Sequence, residues 1–360
     1  MPSLHLQRTD VVVGVDTHKD EHMAVALDGI GGRLGSQALP ATAEVYADLL
    51  SWARNHGRVV AFGVEGTGSY GSGVARFLRR QGMRVYEVSR PPRRGERRAA
   101  GKSDLVDAEH AAREVLSGEA TSIPKTADGS VEVLRVVKIA RDTAVKARTQ
   151  AMITLKSVLV TSPDELRAEL EGLSDFRLIT ACADLSDGST SDPASASRYA
   201  LGSLAARWLA LHEEVKEHTR HLKRITSEVA PQLTAAFGIG FDSAAELMIA
   251  AGDNGERIRS EAAFAKLCGV CPIPASSGRT TGRHRLNRGG NRQANAALYR
   301  IVIVRMRWHE PTMAYVARRT AEGRTKKEVI RCLKRYVARE VFGLLPRATE
   351  ARAKNLVAGA

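Results

Sequence analysis

Residues 11–28 read VVVGVDTHKDEHMAVALD. Two runs rich in β-branched and small apolar residues, VVVGVDTH and HMAVALD, flank a short polar break and read as consecutive strands. Working outward, RLGSQALP (33–40) follows the Gly31-Gly32 turn as a third strand. ATAEVYADLLSWARNHG (41–57) has helical spacing and is closed by Gly57. VVAFGVEG (59–66) is a short buried strand, SYGSGVARFLRRQG (69–82) a helix ended by Gly82, and MRVYEVS (83–89) a fifth strand. A further helix starts at Ser103.

Three strands first, then helix–strand–helix–strand and a final helix, is the element order of an α/β RNase H-like fold. A Rossmann domain alternates from its first strand and carries its glycine fingerprint after it, the place held here by Asp16-Thr17-His18. The glycines of GTGSYGSG (66–73) are not followed by Gly-Lys-Ser/Thr, so they make a tight turn and not a nucleotide loop.

The rest of the chain divides into two helical segments and a tail. The expected boundaries are 1–125 for the α/β domain, 126–230 for an elongated helical segment, 231–346 for a basic, mainly α C-terminal domain, and 347–360 for a tail without periodicity. In the middle segment Val137, Ala140, Ala144, Ala147, Ala151, Thr154 and Val158 recur at alternating threes and fours. So do Leu201, Leu204, Trp208, Leu211, Val215, His218, Leu222, Ile225 and Val229. These are heptad seams, and they predict a helical hairpin or coiled coil, serving as a spacer or as a contact between copies of the chain. LSDGSTSDPASAS, between them, reads as a flexible loop.

Four acids are candidates for one site. Asp16 lies on the first strand and Glu65 ends the fourth, and those strands are neighbours in an RNase H-like sheet. Asp104 and Asp107, in KSDLVDAEHAAR, are three apart near a helix start and share a face. Converging carboxylates repel unless cations lie between them, and two Mg²⁺ about 4 Å apart would resolve the repulsion. Asp104 could instead cap its helix with Asp107 reciprocating, and Glu65 could start a turn. Asp16 is harder to explain away, because an unpaired acid in an apolar strand is costly.

Charge points to a partner. The chain carries 54 Lys and Arg against 40 Asp and Glu, a net charge of +14. Residues 76–102 hold ten basic and two acidic residues, and residues 257–340 hold twenty and five, so the remainder is acidic. Residues 279–309 contain eight Arg, no Lys and no acid. Arginine forks match phosphate geometry, which favours nucleic acid as the partner. Within GVCPIPASSGRTTGRHRLNRGGNR (269–292), Arg279, Arg283, Arg285, Arg288 and Arg292 are the expected phosphate contacts. Ser276 and Ser277 precede them. On composition alone they read as a Ser-Gly turn, since a serine hydroxyl needs a base, a metal or positive charge to become a nucleophile. Four cysteines are too few for a disulfide framework, no apolar run approaches the roughly 20 residues of a membrane helix, and MPSLHLQRTD lacks a secretory core. The cytoplasm is the expected compartment.

GVDTHKD, GVEGTGSYG, KSDLVDAEHAAR and the Pro-Ala-Ser-Ser-Gly-Arg-Thr segment together resemble the DEDD transposases of the insertion-sequence 110 family. The resemblance covers nearly the whole chain, in order and spacing. It implies an N-terminal RuvC-like domain, a coiled-coil linker, and a C-terminal transposase domain with a catalytic serine. Asp16, Glu65, Asp104 and Asp107 then correspond to the metal-binding DEDD set, and Ser277 to the nucleophile, with Ser276 as its alternative. It further implies a recombinase guided by a bridge RNA that pairs with donor and target DNA. The residues also admit a RuvC-like nuclease that hydrolyses branched nucleic acid through two metals, and an inactive nucleic-acid scaffold. An even-numbered homo-oligomer, dimer or tetramer, is expected from the unpaired seam.

Overall fold

The computed structural model describes residues 6–88, 103–185, 190–274, 284–287 and 289–346. The chain divides into two compact units, Met1–Gly129 with Ala251–Arg259, and Ser130–Ala250 with Ser260–Ala360.

The first unit is built on a five-stranded sheet of order β3-β2-β1-β4-β5. Its strands are β1 (Asp10–Thr17), β2 (Glu21–Asp28), β3 (Arg33–Pro40), β4 (Arg58–Glu65) and β5 (Val85–Val88). The first three pair antiparallel, while β1–β4 and β4–β5 pair parallel. The central β1 is buried throughout, which explains its near-continuous valine run. On one face, Leu49, Leu50 and Ala53 of α1 (Tyr46–Asn55) and Val74, Ala75 and Leu78 of α2 (Ser72–Arg80) pack on Val11, Val13, Val15 and Phe62. On the other, α3 (Asp104–Leu116) lays Ala108, Ala111, Ala112 and Val115 against Val12, Val25, Leu27 and Ala61. This mixed α/β sheet is compatible with a RuvC-like domain.

Two glycines let α3 lie that close. Gly14 and Gly63 are register partners on β1 and β4. A Cβ at Gly14 would meet the Ala108 carbonyl oxygen at 1.9 Å, and one at Gly63 would meet the Ala111 carbonyl oxygen at 2.6 Å. The helix backbone therefore rests on the sheet backbone, which fixes the height of the helix's first turn above the strand ends.

The second unit is mostly helical. Its two long helices, α4 (Ser130–Val160) and α7 (Pro193–Val229), pack along each other. They run antiparallel, because Arg141 Nε donates to Thr219 Oγ1 at 2.9 Å while Arg148 reaches back to His212 at 3.1 Å. The α7 seam holds the expected residues, with Leu201, Val215, Leu222 and Ile225 buried. The α4 seam differs from the all-apolar reading: Leu134, Lys138, Ala144, Ala151, Leu155 and Leu159 are buried, and Ala147 is exposed. Following only apolar residues misplaces the stripe, because Lys138 takes an inward position and satisfies its charge there with Asp142 (3.0 Å), Asp242 (2.9 Å) and Glu246 (3.1 Å).

Two short helices, α5 (Asp164–Leu170) and α6 (Asp175–Ala183), cover the far end of the pair through Leu166, Leu178 and Ile179. Part of the expected Ser-rich loop is helix. Asp192 caps α7 by accepting from Ala194 N and Ser195 N, and Pro193 fills the first turn, where its missing N–H costs nothing.

The C-terminal part contains α8 (Pro231–Ala235), α9 (Phe241–Ala251), α10 (Glu261–Leu267), α11 (Arg292–Trp308), α12 (Glu310–Ala321) and α13 (Lys326–Leu344). Arg305 of α11 is buried and donates to both carboxylate oxygens of Glu340 on α13 (2.6 and 2.8 Å) and to the Phe237 carbonyl (2.8 Å). A Thr325–Glu328 capping box starts α13. The β6 (Pro272–Pro274) and β7 (His284–Leu286) strands pair antiparallel.

Candidate metal centre

Asp16 and Glu65 leave neighbouring strands side by side. The parallel register joins Val15 to Val64, one residue before each acid. Thr17 Oγ1 donates to the Glu65 backbone oxygen at 2.9 Å and ties the two strand ends together. Both acids are buried, at 5% and 7% exposure. The chain after Glu65 turns sharply through Gly66, whose φ of 66° suits glycine.

The helix supplies the third acid. Ser103, not Asp104, occupies the N-cap position of α3, so Asp104 is the first helical residue. Its Oδ1 lies 3.2 Å from His18 Nε2, and the same nitrogen lies 3.1 Å from Asp16 Oδ2. This nitrogen faces both carboxylates. One ligand atom from each of Asp16, His18 and Asp104 lies within 4.8 Å of the others. Burial lifts the Asp16 carboxyl above its ordinary value of 3.8, the charges of Asp107 and Asp104 push the same way, and His18 opposes them.

Of the four expected acids, Asp16 and Asp104 meet through His18. Asp107 is near enough for its charge to act on Asp16, and Glu65 stands on the adjacent strand end, but neither belongs to that trio. The acid-by-acid reading of the sequence missed His18. Its signal was its spacing: two residues after Asp16 at a strand end, it shares that acid's side of the backbone.

The trio fits a divalent cation. Two carboxylate oxygens and an imidazole nitrogen are a donor set for such an ion, and Asp16, whose ionisation is opposed by burial and neighbouring charge, gains most from one.

In the second unit, Ser276, Ser277, Arg279, Arg283 and Arg288 lie outside the described residues. The strands β6 and β7 bracket residues 275–283, and Arg285 on β7 pairs with Ile273. Arg285 and Arg292, the latter opening α11, are exposed and line one cavity of about 710 Å³.

Residues 13–162 match a family model for DEDD transposases of IS110 elements, described as a transposase, and residues 230–317 match a second, described as "Transposase IS116/IS110/IS902 family". The chain belongs to the IS110 transposase family. Over 145 residues this IS110-family chain is 28% identical to the insertion element IS110 uncharacterized 43.6 kDa protein of Streptomyces coelicolor. That match covers 40% of this chain and 36% of that protein, so it spans about a third of the relative's length. The first family match contains all four expected acids and His18, and the second contains both serines and the five arginines. Among the described residues, no helix of this IS110-family protein is long and apolar enough to cross a membrane.

Proposed function

We propose that this transposase moves its element by cutting and rejoining DNA through a covalent phosphoserine intermediate at Ser277. The observation that carries the reading is the Asp16–His18–Asp104 trio at the sheet edge, inside the region matched to the DEDD family. Bound there, Mg²⁺, as a pair of ions held by Asp16, Glu65, Asp104 and Asp107, would supply positive charge to the scissile phosphate.

The chain's residues do the rest. The Ser277 oxygen attacks phosphorus and its proton passes to solvent. The phosphorus–oxygen bond to the departing strand breaks, and that strand leaves as a hydroxyl. The new phosphoserine ester conserves the bond energy, so the hydroxyl of an incoming strand can displace Ser277 and restore the backbone. Arg279, Arg283, Arg285, Arg288 and Arg292 hold the phosphates in register. Asp16 and Ser277 must act on the same phosphate, so the reaction needs both domains, 1–125 and 231–346, at one strand.

Family likeness adds a bridge RNA that pairs with donor and target DNA, and a cytoplasmic setting. It also adds assembly into a dimer or tetramer through the coiled-coil segment, 126–230. Support for assembly comes from α4, where Ile139, Ile153 and Val160 are 53%, 57% and 67% exposed at multiples of seven residues. A light-scattering mass that stays at 38.9 kDa with nucleic acid bound would remove the oligomer.

A metal-dependent nuclease without a covalent step is the second reading, favoured by the fact that the carboxylate–imidazole trio needs no serine to activate water. Strand cleavage by Ser277→Ala, Ser276→Ala and Asp16→Asn variants separates the two. The recombinase loses cleavage in Ser277→Ala and Asp16→Asn. The nuclease loses it only in Asp16→Asn, and an inactive scaffold binds equally well in all three.

A further inference from the structure

The second unit buries two lysines in very different company. Lys138 is 5% exposed and has three carboxylates within 3.1 Å, which raise its pKa against the opposing effect of burial. Lys334 on α13 is 8% exposed, yet among the described residues no carboxylate lies within ion-pair distance of it. Burial alone acts on it and lowers its pKa. Its Nζ donates to Asn295 Oδ1 at 2.5 Å. Asn295 is fixed in that orientation, because its Nδ2 is spent on the Cys268 and Gly269 carbonyls at 2.8 and 3.1 Å. An ammonium has three donors, and one carboxamide oxygen uses one of them.

A buried cation without a counter-charge is costly to a fold, and here it lines a cavity. The walls of the 710 Å³ space include Lys334, Arg285, Arg292, Arg331 and Asn295, with the half-exposed ring of Tyr299. Among the described residues, four cations and no acid line it. It also takes in Asn291 and Arg292, the cap and first residue of the 17-residue α11, whose N-terminal amides add positive potential. Cavity, missing counter-ion and helix end all call for an anion.

We propose that this cavity is a phosphate subsite in which Lys334 receives a backbone phosphate of a nucleic-acid strand, the anion that completes its ion pair. The proposal deepens the DNA-recombinase reading and rests on it: it places one strand phosphate on a buried lysine of α13, in a cavity that Arg285 and Arg292 of the serine segment also line. Tyr299 stands where a base next to that phosphate can stack.

The test uses the full-length protein and a fluorescein-labelled single-stranded thymidine oligonucleotide, with affinity read by anisotropy across a potassium chloride series. Lys334→Met keeps the side chain's bulk and removes its charge. Its expected affinity is about tenfold lower, with a log affinity against log salt slope smaller by about 0.7, the value for one phosphate contact on a single strand. Its thermal midpoint without DNA should equal or exceed that of wild type, because an unpaired buried charge is gone. Arg331→Gln, at the exposed rim of the same cavity, puts no buried group at risk and should lower the slope similarly. A reduced midpoint with unchanged affinity and slope in Lys334→Met, or an unchanged slope in Arg331→Gln, would overturn the proposal. Inorganic phosphate raising the midpoint of wild type but not of Lys334→Met, with oligonucleotide affinity equal in both, would make this a free-phosphate site and overturn the strand assignment. Wild-type protein that failed to bind the oligonucleotide at all would instead sink the DNA reading on which the proposal rests.

Discussion

Adding one methyl group at Gly14 should separate the metal centre's two halves. Gly14 has no positive φ, so alanine fits its backbone, and the unfolded chain would even lose some entropy in favour of folding, about 0.4–1 kcal/mol. Everything unfavourable comes from the clash. The new Cβ would stand 1.9 Å from the Ala108 carbonyl oxygen and 2.4 Å from the Ala112 nitrogen, both backbone atoms that no rotamer change can move. Ordinary contact begins at 3.4 Å, so α3 must retreat by roughly 1.5 Å. Overpacking of this kind costs about 1–3 kcal/mol, leaving a net loss of about 1 kcal/mol after the entropy gain.

The same retreat carries Asp104 and Asp107 away from Asp16, and a misplacement of about 1 Å can cost on the order of 10²-fold in a reaction. Calorimetric titration with Mn²⁺ and a thermal melt read both effects. Gly14→Ala should melt lower and bind Mn²⁺ more weakly. Gly343→Ala, where an added Cβ meets nothing within 4 Å, should melt at or above wild type with Mn²⁺ binding unchanged. A Gly14→Ala protein that matched wild type in both measurements would refute the claim that the glycine pair sets the height of the helix.

Three further outcomes follow from the second unit and the serine segment. Lys138→Met takes the cation from Glu246, while Asp142 and Asp242 keep Arg141 and Asp242 also keeps Arg300, and should destabilise the protein by about 1–3 kcal/mol, read by denaturant unfolding. Hydrogen bonds from Arg305 hold the Glu340 carboxyl below its ordinary value of 4.5. A depressed carboxylate stabilises the fold above that value and loses its contribution as pH falls through the folded pKa, so wild type should lose thermal midpoint more steeply than Glu340→Gln below pH 4.5. Arg285→Ala and Arg292→Ala should each reduce the salt slope of duplex DNA binding by about 0.9; unchanged slopes would make the segment structural.

The N-terminal sheet was legible because its signals are local. Gly57 and Gly82 mark helix ends, and β1, buried on both faces, shows as a near-continuous apolar run. Asp16 stood out because it interrupts that run. His18 did not, because its importance depends on Asp104, a residue far along the chain that only the close approach of α3 at Gly14 and Gly63 brings near. The α4 seam was misplaced for a related reason: Lys138 is charged, and nothing nearby in sequence announces that Asp242 and Glu246 arrive from α9 to pair with it. Lys334 is the mirror case, a charge within an apolar helix stripe that meets no carboxylate among the described residues.

The central claim is the covalent step, and a suicide DNA substrate tests it most directly. Cleavage of such a substrate releases a fragment too short to religate, which traps any protein–DNA ester for peptide mapping by mass spectrometry. The account predicts a denaturant-resistant adduct that forms only with Mg²⁺, maps to Ser277, and is lost in both Ser277→Ala and Asp16→Asn. Strand cleavage that continued without any adduct in a Ser276→Ala, Ser277→Ala double variant would contradict it.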